Sequence, residues 1–430
     1  MSKSGTTVVI LAAGKGTRMR SERPKVLHEL CGRPMLGWVI DACLGLEPER
    51  VVVVVGHRAA DVEEAARAEF PDAELEFVLQ EPQLGTGHAL QVAAPAIGAA
   101  ERVVVTYGDM PLLRTESLRR LVEAQAGASE TDAFDSVSLL TAVVDEPHGY
   151  GRVLRHEDGD AFERIVEQKD ATPPEQLVNE INLGVYCFAR AHLDRDLGRL
   201  SNDNAQGEYY ITDLVGMAAS DRRRVVPIVL DDAGEAQGVN DLAQLADVRW
   251  QVQLGILEEH MANGVRIMDP ATTYIDHGVE IGAGTEVLPC TVIRGGVRIG
   301  EDCSIGPFTH LRVGAVMGDG SKMGNFTEMK KSTLGKGSKA NHLAYLGDAT
   351  IGEGTNIGAG TIFANYDGKD KHPTEVGDGA FVGSGSVIVA PNTIPDGATL
   401  GAGAILTRDA GVGEGEVWIG LPAKRRGPKK

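Results

Sequence analysis

From Ile275 to Met329 the chain reads IDHGVE IGAGTE VLPCTV IRGGVR IGEDCS IGPFTH LRVGAV MGDGSK MGNFTE M. Ten consecutive sixth positions (Ile275, Ile281, Val287, Ile293, Ile299, Ile305, Leu311, Met317, Met323 and Met329) carry an aliphatic side chain. A period of six matches neither the 3.6 of a helix nor the 2 of a flat strand. It predicts a parallel β-helix, whose inward residues recur at each face of a narrow core and whose turns take small residues. Glycine follows the aliphatic residue directly at Ile281-Gly282, Ile299-Gly300, Ile305-Gly306 and Ile357-Gly358. After a one-residue slip the register resumes at Leu334, Ala340 and Leu346, then at Ile351, Ile357 and Phe363. It resumes again at Val376, Val382, Ile388, Ile394, Leu400 and Leu406.

Two segments depart from the period. Asn365–Glu375 (NYDGKDKHPTE) reads as a surface insertion or as an element projecting over a neighbouring subunit. The terminal run Ala423–Lys430 (AKRRGPKK) reads as a solvated tail or as an arm reaching an anionic ligand.

Glycine content follows the same division: 32 of the 54 glycines lie after Asn263. The chain of 430 residues is long enough for two or three domains, and 42% hydrophobic with 24% charged residues excludes wholesale disorder. A net charge of −19 argues against nucleic acid or an anionic membrane as partner, while leaving small anionic substrates open. The five cysteines (Cys31, Cys43, Cys187, Cys290, Cys303) form no C-x-x-C, so neither a disulfide framework nor a zinc site is expected. There is no apolar run of 18 residues and no signal peptide, so the expected location is the cytoplasm.

Residues 1–240 alternate β-branched runs with helical patterns. Thr7–Leu11, Val51–Val55, Val103–Thr106, Ser138–Val144 and Val185–Phe188 read as buried strands. Leu36, Val39, Ile40, Cys43 and Leu44 share a helical stripe. This pattern predicts an α/β domain with a mostly parallel sheet covered on both faces. Residues 241–263 read as a linker helix with Leu242, Leu245, Val248, Val252 and Ile256 on one stripe. Asn240 or Asp241 caps it and Gly264 stops it.

The first strand runs into Leu11-Ala12-Ala13-Gly14-Lys15-Gly16-Thr17-Arg18-Met19, with Pro24-Lys25 six residues on. It lacks the G-x-x-x-x-G-K-[ST] spacing, and Met19 stands where a dinucleotide fingerprint has its third glycine. Small residues let backbone N–H groups approach phosphates, and Lys15, Arg18 and Lys25 offset their charge. The segment resembles the signature of sugar-nucleotide pyrophosphorylases. Further motifs follow in order: Val78-Leu79-Gln80, Gln83–Ala89 (QLGTGHA), Tyr107-Gly108-Asp109, Gly149-Tyr150-Gly151-Arg152, Ile165-Val166-Glu167, Glu180-Ile181-Asn182, Asn202–Asp213 and Gly238-Val239-Asn240. Together they resemble the bacterial bifunctional N-acetylglucosamine-1-phosphate uridyltransferase and glucosamine-1-phosphate acetyltransferase family, over nearly the whole chain.

The resemblance implies a Rossmann-like nucleotidyltransferase domain followed by a left-handed hexapeptide-repeat β-helix. It implies a nucleotide-sugar site of Leu11, Ala12, Ala13, Gly14, Lys25, Gln80, Gly85, Thr86, Tyr107, Gly108, Asp109, Gly151, Glu167, Asn182 and Asn240. Gln80 and Thr86 would read uracil, and Gly151, Glu167 and Asn182 the N-acetylhexosamine. Asp109 and Asn240 would hold Mg2+, with Lys25 and Arg18 stabilising charge on the transferred phosphate. In the β-helix, His342 would be the general base. Arg312 and Lys330 would hold the sugar phosphate, and Tyr345 and Asn356 would position the sugar. Ala359, Asn365, Tyr366, Ser384 and Ala402 would line an acetyl-CoA groove between subunits of a homotrimer. The substrates would be UTP, N-acetylglucosamine-1-phosphate, glucosamine-1-phosphate and acetyl-CoA.

Two departures from the family stand out. The β-helix is roughly one to two coils short near its start on the hexad count. Gly420 stands where the family has an arginine, with Arg425 and Arg426 nearby as replacements. Two rival readings fit the same sequence: a monofunctional uridylyltransferase whose β-helix only trimerises, and a non-catalytic regulatory subunit that retains the fold.

Overall fold

The computed structural model describes residues 5–126, 136–156 and 161–428 and divides the chain into two units, Met1–Val248 and Arg249–Lys430. Among the described residues the main sheet of the first unit has nine strands: β1 Thr6–Leu11, β2 Arg50–Val55, β3 Leu75–Leu79, β4 Arg102–Tyr107, β5 Val137–Val143, β6 Gly151–Arg155, β7 Phe162–Val166, β8 Glu180–Ala189 and β9 Val225–Val229. Their order is β9-β5-β8-β4-β1-β2-β3, with β6 pairing β8 and β7. Alternate residues of β1 face two cores: Val8 and Ile10 join one, Val9 and Leu11 the other. Both faces of β1 are therefore covered, and it is built only of apolar residues and threonine.

The sheet is more mixed than its β-branched runs suggest. β8 runs antiparallel to β4, β5 and β6. It is entered from the β6–β7 hairpin and a short connection, with no crossover helix to reverse the chain. The register shifts between Asn182 and Tyr186, where Gly184 takes φ +77° and a Cβ would lie 2.2 Å from the Tyr107 ring. Glycine is required there by both backbone and space.

The linking helix spans Leu242–Ala262. Asp241 caps it, its Oδ1 accepting from the backbone N–H groups of Ala243 and Gln244 at 2.9 Å each. Gly264, at φ +88°, ends it with N–H groups of Gly264 and Val265 donating to Met261 and His260 carbonyls. Leu245, Val248 and Val252 are buried and Ile256 is half-buried, but Leu242 is exposed, so the predicted stripe begins one turn later.

The second unit is the β-helix. Its three sheets stack in parallel, with Val287, Ile305, Met323 and Ala340 in one column and Ile293, Leu311, Met329 and Leu346 in the next. The hexad residues are buried except Ile281, on the first strand of the third sheet, which is half-buried. Both one-residue slips, and the Asn365–Glu375 insertion, fall at the same corner, between the second and third sheets. Register is thus kept at the core while one edge varies. Phe363 is the only aromatic ring among the fully buried members of that core. Phe363→Ala is expected to destabilise the prism by about 3–5 kcal/mol, measured as a fall in its urea midpoint. A cost under about 1 kcal/mol would mean the coils collapse onto the space.

Residues 424–428 of the basic terminal run form a strand with exposed basic side chains. Lys424–Pro428 pairs antiparallel with Glu416–Ile419, which extends the first sheet, and Arg425 Nε meets Glu416 Oε1 at 2.7 Å. Lys429 and Lys430 lie outside the described residues.

Candidate active sites

In the first unit the chain leaves β1 as Leu11-Ala12-Ala13-Gly14 and lines a cleft of about 290 Å³ with Lys25, Gln80, Gly85, Thr86, Tyr107 and Asp109. Gly108 packs beneath it, where a Cβ would lie 3.2 Å from that of Ala12. Gly16 has φ +59° and its Cβ would lie 2.7 Å from Lys25 Cβ, so this turn needs glycine to bring Lys25 against the loop. Arg18, Lys25, Asp109 and Asn240 then converge from four segments. Lys25 Nζ ion-pairs with Asp109 Oδ2 and lies 3.4 Å from Asn240 Oδ1, to which Arg18 donates at 2.8 Å. Because Asp241 serves as the helix cap, Asn240 is left free to face this cluster.

Gln80 donates to the Gly85 carbonyl at 2.9 Å and lies 3.2 Å from His88 Nδ1. Thr86 Oγ1 accepts from Ile211 N–H at 3.2 Å, while Tyr209 exchanges backbone bonds with Leu84 and Gly87. The Asn202–Asp213 segment thereby clips the loop that the sequence reading assigns to the base. Four lining residues were missed: Val26, Ala89, Glu208 and Gln83, whose Nε2 donates to the Ala13 carbonyl at 2.5 Å. Gln83, Ala89 and Glu208 all stood within quoted motifs, but the resemblance gave none of them a role, and Val26 directly follows the Pro24-Lys25 pair.

Gly151, Glu167 and Asn182 come together beside Tyr107. Gly151 pairs with Asn182 across the ladder, and a Cβ on Gly151 would lie 3.5 Å from Glu167 Oε2. Asn182 Nδ2 donates to the Tyr186 hydroxyl at 2.7 Å. Burial raises the Tyr107 phenol, and the charges of Glu167 and Asp109 add to the effect. Burial likewise raises the Glu167 carboxyl, against a bond from Thr212 Oγ1 at 3.2 Å and with Asp170 and Asp213 adding repulsion. A carboxyl raised by folding costs stability as pH rises through its folded value. Glu167→Gln is therefore expected to melt higher than the parent at pH 7.5, with the advantage shrinking by pH 4.5. An equal difference at both pH values, read by differential scanning fluorimetry, would sink this account.

Asp109 and Asn240 offer two oxygen donors, the type that suits magnesium, and both already point at one cation, the Lys25 ammonium. Among the described residues no three His, Cys, Asp or Glu side chains cluster as a metal site, so further ligands would come from water and phosphate.

In the β-helix, His342 ends the strand Lys339–His342, exposed, with Nδ1 2.7 Å from Asn325 Oδ1 one coil earlier. An amide oxygen only accepts, so in the assigned amide orientation Nδ1 carries the proton and Nε2 keeps its lone pair. Arg312 meets Glu328 at 2.6 Å. Lys330 lies beside Lys371, whose contact and charge, with Arg312 adding, pull the Lys330 ammonium below its usual range. Lys371, from the Asn365–Glu375 insertion, was missed because that segment has no period. Tyr345 follows Glu328 and Asn356 follows Lys339, each one coil on.

Ala359 and Ser384 accept from Gly385 and Gly403 on successive coils, with Ala402 beside the latter. Asn365 is buried against Asp348, while Tyr366 is exposed. Within one chain, then, Arg312, Lys330 and Lys371 cluster, whereas no hydrogen bond among the described residues joins His342 to Tyr345, Asn356 or that cluster. Gly420 has φ +97°, a conformation an arginine side chain would strain.

Residues 8–172 match the MobA-like NTP transferase domain. Fold and cleft together define a nucleotidyltransferase joined to a left-handed β-helix. The chain is 45% identical to the bifunctional protein GlmU of Fervidobacterium nodosum, over 94% of this chain and 92% of the relative. It is 46% identical to that of Alkalilimnicola ehrlichii (94% and 92%) and 42% identical to that of Streptococcus suis (97% and 95%). The chain belongs to the bifunctional GlmU family.

Proposed function

We infer that the protein makes UDP-N-acetylglucosamine in two steps: acetyl transfer from acetyl-CoA to glucosamine-1-phosphate, then uridylyl transfer from UTP to N-acetylglucosamine-1-phosphate. The observation that carries this is likeness to bifunctional relatives across both units rather than the first alone. Uridylyl transfer belongs to residues 1–240, acetyl transfer to 264–430, and 241–263 is the linker.

In uridylyl transfer a phosphate oxygen of the sugar phosphate attacks the α-phosphorus of UTP, and pyrophosphate leaves. The nucleophile is anionic near neutral pH, so charge neutralisation and in-line placement are what the site must supply. Lys25 and Arg18 neutralise the phosphates, Gly85 and Thr86 with Gln80 hold the base, and Glu167 and Asn182 hold the sugar. Mg2+ on Asp109 and Asn240 supplies further neutralisation of the triphosphate when bound.

For acetyl transfer, His342 Nε2 takes a proton from the glucosamine ammonium. The amine then attacks the thioester carbonyl, and coenzyme A leaves as the thiol after reprotonation. Arg312, Lys330 and Lys371 seat the sugar phosphate, and the like charges crowded there are relieved when an anion binds. We assign the assembly as a trimer, with the groove completed by a second subunit. Acetyl-CoA lies along Ala359, Ser384 and Ala402, with Asn365 and Tyr366.

The test is twofold with one preparation: free-thiol release from acetyl-CoA with glucosamine-1-phosphate, and UDP-N-acetylglucosamine formation from UTP. Both are expected. Uridylyl transfer without thiol release would leave the β-helix as a scaffold.

A further inference from the structure

The guanidinium of Arg152 is buried, with only 1% of the residue exposed, yet among the described residues no carboxylate pairs with it. Its partners are neutral. One nitrogen donates to the Tyr150 carbonyl; another donates to Gln168 Oε1 at 2.7 Å and to the Gln176 carbonyl at 3.5 Å. Nε has no partner. An isolated buried cation is a net cost to folding, and apolar replacements of buried charges often stabilise. A residue that costs stability and makes so specific a fork has to be explained by what the fork holds.

What it holds is the border of the sugar pocket. Gln168 Oε1 also accepts from Gly149 N–H at 3.1 Å, so Arg152 and Gln168 tie the Gly149-Tyr150 turn to the residue after Glu167. Tyr150 in turn bonds the backbone at Gly238, two residues before Asn240. Gln176 belongs to the short helix Glu175–Leu177, and its own amide donates to the Ala171 carbonyl at 3.0 Å. Arg152 sits one residue after Gly151, so on a pleated strand its side chain points away from the pocket face.

We propose that Arg152 is a positioning residue for the sugar half of the uridylyl site, fixing the Tyr150 turn and the Glu167 turn from behind. The assignment rests on reading Gly151, Glu167 and Asn182 as the sugar pocket. It makes sugar recognition depend on a group that does not touch the sugar.

The experiment compares Arg152→Met and Arg152→Lys in the full chain, by steady-state uridylyl transfer and thermal melting, with Glu167→Gln as the pocket control. Arg152→Met is expected to raise KM for N-acetylglucosamine-1-phosphate about tenfold or more, with KM for UTP and thiol release within about twofold. Its melting temperature should equal or exceed that of the parent, and Arg152→Lys should recover part of the sugar KM. An unchanged sugar KM in Arg152→Met, with a raised one in Glu167→Gln, overturns the positioning role alone. An unchanged sugar KM in both overturns the pocket reading and this proposal with it. A lower melting temperature with both substrate KM values raised would make Arg152 a structural residue only, and would also overturn it.

Discussion

Lys25→Ala is expected to lower uridylyl transfer by about 10²- to 10³-fold, the usual consequence of removing one preorganised charge partner from a developing anion. The side chain is mostly buried and contacts both Asp109 and Asn240, so nothing else in the cleft can take its place without rebuilding the loop. Asp109 would lose its counter-charge, so binding of the triphosphate should weaken as well as turnover. Thiol release should stay within about twofold, because Lys25 belongs to the first unit. Equal loss of both activities would show that the variant is misfolded. No loss of uridylyl transfer would remove Lys25 from the catalytic machinery and leave Arg18 as the principal cation.

His342→Ala is expected to have the opposite profile: thiol release falls by about 10²- to 10⁴-fold, and uridylyl transfer is unchanged. The imidazole is exposed and carries no packing load, so stability should hardly move. Its Nδ1 is committed to Asn325, which leaves Nε2 as the base. Asn325→Ala should therefore give a smaller loss than His342→Ala, through imidazole orientation alone. Thiol release that persists in His342→Ala would transfer the base to another group or reduce the β-helix to an assembly element.

The two halves of the molecule were legible to different degrees. The hexad announces its architecture because each coil buries one aliphatic residue per face, so core geometry maps one-to-one onto spacing. Where the map breaks, at Leu334, Ile351 and the Asn365–Glu375 insertion, spacing alone does not say that all three breaks share a corner. Lys371 consequently stayed invisible until the insertion was seen to bring it beside Lys330. In the first unit, the antiparallel course of Glu180–Ala189 has no periodic mark, since a strand buried on both faces reads alike in either direction. The cap assignment is of the same kind. Asn240 and Asp241 are both good caps by residue type, and only the bonds to Ala243 and Gln244 distinguish them.

The repeat and the order of the glycine-rich, Gly-Asp and Gly-Val-Asn motifs are readable from spacing, because each is a local pattern with a local physical cause. Only the tertiary contacts reveal that Arg18 and Asn240, 222 residues apart, share a hydrogen bond, and that Arg152 bonds both the Tyr150 carbonyl and Gln168. Contacts of that kind follow from strand order and ladder register, which bring distant residues together without leaving any periodicity in the chain.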